Sequence, residues 1–447
     1  MNVLVIGSGG REHAICRSFR KSPKIEQIYC ANGNAGIAKI AECVNIKPDD
    51  VQALADFAAA KSIDLTFIGG EVSLALGIVD EFERRGLRVI GPNREAAQFE
   101  SSKSFAKDFM ARHGVPTAKY VTAHSPGFAV LELESGDFGD ADTPVVVKAD
   151  GLAAGKGVVV AKNRAEAIAA INEMTGLVGA AAAEKIVLEE CLVGKEVSLL
   201  MFVDGEDFAL MPPTRDHKRI GEGDAGPNTG GMGTFTDASL LTADELLEIT
   251  EKIIRPTLRG CVREGLRYRG VLFLGLMMVE CGSPRVSEGV TSNVESHASA
   301  AVPATAPMLL EYNVRFGDPE TQAILVRLET DLTDICEAML AGTLNDLEIK
   351  WRAGSSACVV LAAGGYPSKP KTGNVIQGID DAAAIECVEV FHAGTANGPD
   401  DAIVTAGGRV LGVTATGDDL AIALAIAYAA VGKISFDGMQ FRRDIGN

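Results

Sequence analysis

The chain opens with a strand pattern, which runs directly into a glycine-rich turn and then into a helical pattern. Residues 2–6 (NVLVI) are predicted to form a buried parallel strand, because the segment is short and almost wholly apolar. The turn that follows, 7–10 (GSGG), leads into a helix predicted to extend to about Lys21. In this geometry the backbone N–H groups of the turn and the helix N-terminus face an anion. The opening of the chain therefore predicts an α/β fold with a phosphate-binding turn.

Two details argue against a nicotinamide dinucleotide, the obvious ligand of such a turn. Glu12 replaces the third glycine of the GxGxxG pattern, and the next strand ends in Asn32 rather than in an acidic residue that holds a ribose. A tight structural turn without a ligand is a further alternative. Arg11 and His13 favour a small phosphorylated substrate.

Further strand and helix patterns follow the first unit. Residues 65–68 and 87–90 are predicted strands, and 72–85 is a predicted helix between them. Parallel strands joined by helical crossovers, with ligand loops at their carboxyl ends, are typical of an open α/β domain. We expect this domain to end near residue 100.

A glycine-rich hairpin between two apolar strand patterns covers residues 144–160, and Lys148 lies in its first strand. Only three residues separate Gly151 from Gly155 and Lys156, and a strand follows, so the spacing does not match a P-loop. An unpaired lysine inside an apolar strand is costly. The pattern therefore predicts a flap that lays Lys148 and backbone N–H groups over a triphosphate, with a mobile hairpin as the alternative.

The strand predicted over 308–316 carries the third informative pattern. Alternation places Leu309, Glu311, Asn313 and Arg315 on one face, and Leu310, Tyr312, Val314 and Phe316 on the other. Oxygen ligands of the Glu and Asn kind suit a hard divalent cation, and a guanidinium beside them suits phosphate or carboxylate. An ordinary half-exposed strand is the alternative interpretation.

Other stretches give weaker signals. Lys103 and Lys107 lie four residues apart on a predicted helix, where most lysines are simply solvated. The segment 215–233 is a long loop of glycines and charges, as is common beside a site. Residues 281–307 look like an inserted flexible loop, and the part after residue 346 looks like a small α+β cap without a catalytic constellation.

Composition excludes several classes of function. The 447 residues carry a formal net charge of −18 without a long Lys/Arg block, so nucleic acid is not the expected partner. The nine cysteines form no CxxC pair, which argues against structural zinc and disulfides and favours a cytoplasmic protein. Neither a signal peptide nor a membrane span is predicted.

Read together, these motifs resemble the phosphoribosylamine–glycine ligase family, which are ATP-grasp enzymes of purine synthesis, along the whole chain. The resemblance is carried by 7–14 (GSGGREHA), 33–36 (GNAG), Ser102, Lys103, Phe105, Lys107, 148–158 (KADGLAAGKGV), 216–219 (DHKR), 226–233 (GPNTGGMG), 313–322 (NVRFGDPETQ) and 434–446 (ISFDGMQFRRDIG). The resemblance implies an N-terminal open parallel α/β substrate domain over 1–100 and an ATP-grasp domain over 101–345, with a mobile lid at about 118–190. It also implies a small C-terminal α+β domain over 346–447.

The resemblance also implies roles for individual residues. ATP would be bound by Lys103, Lys148, Gly155, Lys156, Gly157, Glu189, Glu190, Leu192 and Glu196. Glu311 and Asn313 would bind Mg²⁺ or Mn²⁺. The acceptor substrate would meet Gly9, Gly10, Arg11, Asn34, Asp216, Asn228, Thr229, Gly230 and Arg315. Arg315, Asp216 and Lys148 would be the catalytic groups.

The activity implied is the ATP-dependent joining of glycine to 5-phosphoribosylamine through glycyl phosphate, by a monomer or small homo-oligomer. The alternatives are another ATP-grasp carboxylate–amine ligase, a nicotinamide-dependent dehydrogenase and a non-catalytic nucleotide sensor. Asn32 and Gly70 stand where the family usually has proline, and the 281–307 segment is unusually long. Because that segment leaves the preceding strand uncertainly aligned, no metal role is predicted for Glu280.

Overall fold

A computed structural model describes residues 1–152, 157–179, 182–280 and 305–447. Its strands are β1 (Asn2–Gly7), β2 (Gln27–Asn32), β3 (Glu42–Val44), β4 (Leu65–Ile68), β5 (Val89–Ile90), β6 (Tyr120–Ala123), β7 (Val145–Ala149), β8 (Val158–Ala161), β9 (Ile186–Glu190), β10 (Lys195–Asp204), β11 (Asp207–Leu210), β12 (Thr214–Asp216), β13 (Arg219–Gly221), β14 (Ala225–Asn228), β15 (Gly233–Thr236), β16 (Arg269–Glu280), β17 (Thr305–Asn313), β18 (Ser355–Ala362), β19 (Val388–His392), β20 (Thr395–Asn397), β21 (Ile403–Thr405) and β22 (Arg409–Gly417).

The α-helices are α1 (Gly10–Arg20), α2 (Val51–Ala60), α3 (Glu71–Ala75), α4 (Ile78–Arg84), α5 (Gln98–Ser101), α6 (Lys103–His113), α7 (Pro126–Glu134), α8 (Arg164–Val178), α9 (Ala243–Ile249), α10 (Arg255–Arg263), α11 (Glu320–Leu325), α12 (Leu332–Ala341), α13 (Ile379–Ala383) and α14 (Leu420–Val431). A π-helical turn, Thr250–Ile254, joins α9 to α10. Within the described ranges, no helix has the length and apolarity needed to cross a membrane.

The N-terminal sheet is fully parallel, in the order β3-β2-β1-β4-β5. The side chains of Val3, Leu4, Val5 and Ile6 in its central strand are wholly buried, because helices cover both faces. The predicted open α/β fold of this part is confirmed. The carboxyl end of β1 brings the glycine turn to the edge of the sheet where ligands bind in such folds.

A separate antiparallel sheet, in the order β6-β9-β7-β8, carries the predicted flap. The helices α7 and α8 pack on one face and bury Leu133, Ile171 and Met174 against Val147 and Leu188. The other face carries Lys148 and Glu189, which line the central cleft. The two strands of the hairpin pair from Val145 with Ala161 to Lys148 with Val158, as the sequence pattern predicted.

A nine-stranded sheet forms the centre of the molecule, in the order β17-β16-β10-β12-β15-β18-β22-β19, with β11 paired to β10. Three strands after Ser355, β18, β22 and β19, continue the same sheet that holds the predicted metal strand, through the pairing of β15 with β18. The strands β20 and β21 pair only with each other in a separate two-stranded sheet. The C-terminal part is therefore attached by main-chain hydrogen bonds and is more than a cap packed on the surface.

The prediction for the strand over 308–316 is partly wrong. The strand begins at Thr305 and ends at Asn313, so 305–307 belongs to it, while 281–304 lies outside the described residues. Gly275 pairs with Glu311 and Leu276 pairs with Leu309, so Leu310 is the extra residue of a β-bulge. The bulge reverses the predicted alternation before Glu311: Leu309 is buried in the core, whereas Leu310 lines the central cleft.

Candidate active site

Three sheets enclose one large cleft of about 740 Å³. They are the N-terminal parallel sheet, the nine-stranded central sheet and the separate sheet β6-β9-β7-β8. Most of the predicted site residues line it: Arg11, Lys103, Lys148, Gly157, Glu189, Glu196, Asp216, Asn228, Thr229, Gly230, Glu311, Asn313 and Arg315. Five predicted residues do not: Gly9, Gly10, Asn34, Glu190 and Leu192. Gly155 and Lys156 lie outside the described residues.

One end of the cleft, here called the lysine end, is formed by Lys103, Lys107 and Lys148 with Glu189 and Glu311. The Nζ of Lys148 lies 2.7 Å from Glu189 Oε1 and donates a hydrogen bond of 3.4 Å to the carbonyl oxygen of Leu310. The flap strand β7 and the strand β17 therefore meet at one point. The two motifs that the sequence analysis singled out for phosphate and metal therefore lie side by side.

Lys107 is a functional candidate that the sequence interpretation missed. Its side chain is 2% exposed, and its Nζ lies 2.9 Å from Glu189 Oε2 and 2.7 Å from Thr117 Oγ1. Burial lowers the pKa of Lys107 to about 8, against the opposing charge of Glu189. The spacing of Lys103 and Lys107 was the available signal, but it is shared with solvated helical lysines.

The start of α6 is fixed to the flap by Asp150. Its carboxylate accepts hydrogen bonds from the backbone N–H and hydroxyl of Ser104, at 2.7 and 2.8 Å. The hydroxyl of Ser102 caps the helix by accepting from the N–H of Phe105, as expected for an N-cap residue. Lys103 follows this cap and donates to the carbonyl of Gly151 at 3.2 Å, so helix and flap present their lysines together.

The predicted metal ligands Glu311 and Asn313 project from the same face of β17 into the cleft. Burial opposes ionisation of Glu311, but Lys218, Lys148 and Lys103 hold its pKa below its usual value. The described residues contain no group of three or more His, Cys, Asp or Glu side chains that could hold a metal ion alone. One carboxylate and one amide oxygen, completed by phosphate oxygens, fit the way Mg²⁺-type cations bind in nucleotide sites.

A second part of the cleft, here called the arginine end, holds Arg11, Arg315 and Arg409. Arg315 donates to Glu100 Oε1 at 2.6 Å and to Glu71 Oε2 at 3.3 Å, and its Nη2 also lies 3.3 Å from Asn313 Oδ1. Neither Glu71 nor Glu100 was predicted as a site residue. Both come from the N-terminal side of the cleft, and no local pattern links them to Arg315.

Glu12 explains the altered glycine motif. Its carboxylate accepts from the backbone N–H of Gly9 at 2.6 Å and pairs with Arg11 Nε at 2.6 Å. A Cβ on Gly7 or Gly69 would lie within 2.5 Å and 2.2 Å of atoms of the Glu12 side chain, so both glycines are needed for its placement. The helix N-terminus is thus already capped by a carboxylate, which competes with the anion predicted there.

Asn34 ties the glycine turn to the C-terminal part of the chain. Its Nδ2 donates to the carbonyl oxygens of Ser8 and His392, both at 2.8 Å, and its Oδ1 accepts from the N–H groups of Gly36 and Ile37. Both ends of its amide are therefore engaged with protein. In this structure Asn34 shapes the turn and does not face the cleft.

Arg409 reaches the cleft from β22, in the part of the chain where the sequence showed no catalytic constellation. Its Nη1 donates to the carbonyl oxygen of Asp318 at 2.5 Å and to that of Gly230, and its Nη2 lies 3.4 Å from Asp318 Oδ2. No pattern in the sequence marked Arg409, because a single arginine becomes a cleft residue only through the sheet that carries it.

The predicted acceptor loop is braced internally. Thr229 Oγ1 donates to the carbonyl of Lys218 at 2.8 Å and accepts from the N–H of Gly231 at 3.0 Å. The N–H of Gly230 donates to the hydroxyl of Tyr366 at 3.0 Å. The hydroxyl of Thr229 is therefore used to shape the loop. Lys218, which also lines the cleft, lies 3.8 Å from Glu196 and was not predicted as a site residue.

A parallel N-terminal sheet, an antiparallel sheet that carries the lysine hairpin, and a lysine-rich cleft between that sheet and β17 define an ATP-grasp enzyme. Solved structures share this fold at low identity, among them the biotin carboxylase of Campylobacter jejuni (TM-score 0.69, 16% identity, 98% of this chain and 92% of that chain). That likeness shows the fold alone.

The chain belongs to the phosphoribosylglycinamide synthetase family. The family models of the N, ATP-grasp and C domains match residues 1–100, 101–291 and 356–447. A phosphoribosylamine–glycine ligase of Pseudomonas aeruginosa is 45% identical over 100% of this chain and 97% of the relative, and one of Caldanaerobacter subterraneus is 42% identical over 100% and 99%. The crystal structure of the Thermotoga maritima phosphoribosylamine–glycine ligase covers all of both chains at 33% identity, with a TM-score of 0.80.

Proposed function

We propose that this ligase joins glycine to 5-phosphoribosylamine with ATP, giving glycinamide ribonucleotide, ADP and phosphate in de novo purine biosynthesis. The observation that carries the proposal is the meeting of the lysine flap with the metal strand, where Lys148 Nζ contacts the carbonyl of Leu310 beside Glu311. A nucleotide triphosphate is the ligand that needs lysines and a carboxylate–amide pair at one place.

The lysine end receives the nucleotide in this proposal. Lys103 and Lys148 bind phosphate oxygens, Gly157 covers them, and Glu196 meets the ribose. Gly155 and Lys156, which were predicted to bind ATP as well, lie outside the described residues. Glu189, Glu190 and Leu192 were predicted to contact adenine. The carboxylate of Glu189 is held between Lys107 and Lys148, and Glu190 and Leu192 do not line the cleft. The proposal therefore assigns no side chain to the adenine.

Glu311 and Asn313 are the protein ligands proposed for Mg²⁺ or Mn²⁺. When bound, the cation neutralises charge on the transferred phosphoryl group and holds the triphosphate in line. Lys148 and Arg315 add fixed positive charge around the same group, and no covalent protein nucleophile is required.

The reaction proceeds in two steps. A carboxylate oxygen of glycine attacks the γ-phosphorus of ATP, which gives glycyl phosphate and ADP. The amine of 5-phosphoribosylamine then attacks the acyl carbon, phosphate leaves with the bonding electrons, and the amine loses one proton. The flap over β7 and β8 must exclude water, because water would hydrolyse the acyl phosphate.

The arginine end receives the phosphoribosylamine. Gly9, Gly10, Arg11, Asn34, Asp216, Asn228, Thr229, Gly230 and Arg315 were predicted for this substrate. Glu12 already caps the glycine turn, so the proposal shifts the phosphate contact toward the guanidinium groups of Arg11 and Arg409. Asn34 and Thr229 act by shaping the loops around it.

The cellular setting of the proposed enzyme follows its small-molecule chemistry. Eight cysteines in the described residues are free thiols, which fits a reducing compartment such as the cytoplasm. The proposed active unit is a monomer or small homo-oligomer.

Phosphate release measured with ATP, glycine and freshly prepared 5-phosphoribosylamine tests the proposal, with each component omitted in turn. We expect release to require all three and glycinamide ribonucleotide to form in equal amount. ATP binding without release would favour a nucleotide sensor. Release with a different acid and amine would favour another ATP-grasp ligase.

A further inference from the structure

A hairpin of β13 and β14, residues 219–228, lines part of the cleft. In the part of the chain that the structure describes, its two strands pair only with each other. Residues 222–226 at its tip are exposed. Asn228 of the hairpin, with Thr229 and Gly230 directly after it, faces the cleft. The place of these three groups therefore depends on what holds the hairpin.

Arg442, from the motif 434–446, reaches this hairpin from the C-terminal part of the chain. Its side chain is 2% exposed. Its Nη1 donates to Asp224 Oδ1 at 2.6 Å and to the carbonyl oxygen of Arg219 at 3.2 Å. Its Nε and Nη2 donate to the two carboxylate oxygens of Asp444, both at 2.7 Å. This bidentate pair fixes the direction of the guanidinium, which then joins the hairpin to the C-terminal segment.

Asp444 makes a second contact with the hairpin. Its Oδ2 accepts from the backbone N–H of Gly223 at 2.8 Å. The hydrogen bonds from Arg442 lower the pKa of Asp444 to about 2, so this carboxylate is charged at neutral pH. Among the described residues, every hydrogen bond and ion pair from outside the hairpin to residues 219–224 comes from residues 442–444. The C-terminal segment is therefore what holds this half of the hairpin.

We propose that Arg442, held by Asp444, is a positioning residue for the phosphoribosylamine site. Arg219, whose carbonyl oxygen accepts from Arg442, is paired directly with Asn228 across the hairpin. The guanidinium thus sets the place of Asn228 and of the loop that follows it, without contact to the reacting atoms. This inference rests on the proposed function, which gives this loop to phosphoribosylamine.

Steady-state kinetics of Asp444→Asn tests the inference. Asparagine keeps the shape of the side chain, but one of its two terminal atoms becomes a donor that faces donors of Arg442 or of Gly223. We expect the KM for phosphoribosylamine to rise about tenfold, with the KM for ATP unchanged. Arg442→Met should act in the same direction. The matched control is Arg443→Met, because Arg443 is 71% exposed and only 3.5 Å from Glu222, a pair of little expected value.

Limited proteolysis with trypsin is a second measurement and needs no catalytic activity. Trypsin cleaves after Lys218 and Arg219, at the start of the hairpin. In Asp444→Asn, which keeps every lysine and arginine, we expect cleavage at these two bonds to be at least about threefold faster than in wild type. The other fragments should appear at the wild-type rate, because only the hairpin is released. Global loss of stability would instead speed up cleavage throughout the chain.

An unchanged KM for phosphoribosylamine in Asp444→Asn would overturn the inference, whether or not the thermal midpoint falls, since Arg442 would then only stabilise the fold. A higher KM without faster cleavage at the hairpin would also overturn it, because the hairpin would have kept its place. An equal rise in KM in Arg443→Met would do the same. If wild-type enzyme released no phosphate with glycine, the proposed function itself would fail, and the trypsin pattern would still show whether Asp444 holds the hairpin.

Discussion

The two ends of the cleft both hold three cationic side chains, but they pair them differently. At the lysine end, Lys107 and Lys148 share the carboxylate of Glu189. At the arginine end, every guanidinium has its own acid: Arg11 has Glu12, Arg409 has Asp318, and Arg315 has both Glu71 and Glu100. With Glu311 counted, the lysine end has three cations and two carboxylates and keeps one net positive charge. The arginine end has three guanidinium groups and four carboxylates, so its positive charge is fully neutralised by protein.

This difference matches what each end must hold. A triphosphate needs positive charge that protein carboxylates do not already neutralise, and lysine supplies this charge as a mobile point charge. A sugar phosphate with hydroxyls and an amine needs oriented donors and acceptors more than it needs net charge. Planar guanidinium groups locked by carboxylates provide that orientation.

The largest effect is expected from Glu311→Ala at the lysine end. The variant loses one of the two proposed ligands of the divalent cation, so turnover should fall at least about 1000-fold. The folded state should persist, because Glu311 faces the cleft and not the core. Product formation and the thermal midpoint are measured together, with exposed Glu173→Ala as the control. Normal turnover would remove Glu311 from the metal site.

Arg315→Lys tests the fixed geometry of the arginine end. Lysine keeps the charge but cannot bridge Glu71 and Glu100 as a fork, so the substrate-facing surface should shift. We expect kcat/KM for phosphoribosylamine to fall about 100-fold, the typical cost of a misplacement of about 1 Å. The exposed Arg84→Lys is the matched control. An unchanged kcat/KM would mean that charge alone matters at this end.

Lys107→Met probes the sharing of Glu189 at the lysine end. In the variant, Glu189 pairs with Lys148 alone. The carboxylate then neutralises more of the positive charge of Lys148, and less of that charge acts on the triphosphate. The KM for ATP should rise about tenfold while the KM for phosphoribosylamine stays constant. Exposed Lys369→Met serves as the control. A rise in the KM for phosphoribosylamine instead would contradict the division of the cleft into two ends.

Sequence alone predicted most of the architecture because each element carries a local signal. The parallel N-terminal strands, the hairpin around Lys148 and the shared face of Glu311 and Asn313 follow from apolar runs, glycines and alternation. The bulge at Leu310 was not predictable, since it depends on how β17 meets Gly275 of a neighbouring strand. Because of this shift of one residue in the register, Leu309 lies in the core and Leu310 lines the cleft, which is the reverse of the prediction.

The site was predicted where motifs are contiguous and missed where it depends on tertiary pairing. Glu71, Glu100 and Arg409 enter the cleft from three separate parts of the chain, and each is an ordinary charged residue in its own segment. Lys107 had a visible spacing, but only its burial distinguishes it from a solvated lysine. Burial of a polar group is a property of the assembled fold and leaves no local mark in the sequence.

The smallest expected effect concerns stability and tests what holds the arginine end in place. Behind the glycine turn, the backbone N–H of His392 donates to His13 Nδ1 at 2.8 Å, which joins the N-terminal and C-terminal parts. Burial, and then His392, lower the pKa of His13 to about 3, and burial lowers the pKa of His392 to about 4. Protonation of His13 Nδ1 would abolish this hydrogen bond.

Because both folded pKa values lie below the unfolded value near 6.5, the unfolded chain binds more protons in this window. Stability should therefore fall as the pH drops from about 6.5 to about 4, by up to about 1.4 kcal/mol per pH unit for each histidine. Denaturant unfolding across this range should show a shallower pH slope in His13→Gln than in wild type. The exposed His124→Gln should keep the full slope; an equal slope in His13→Gln would show that this contact does not hold the arginine end together.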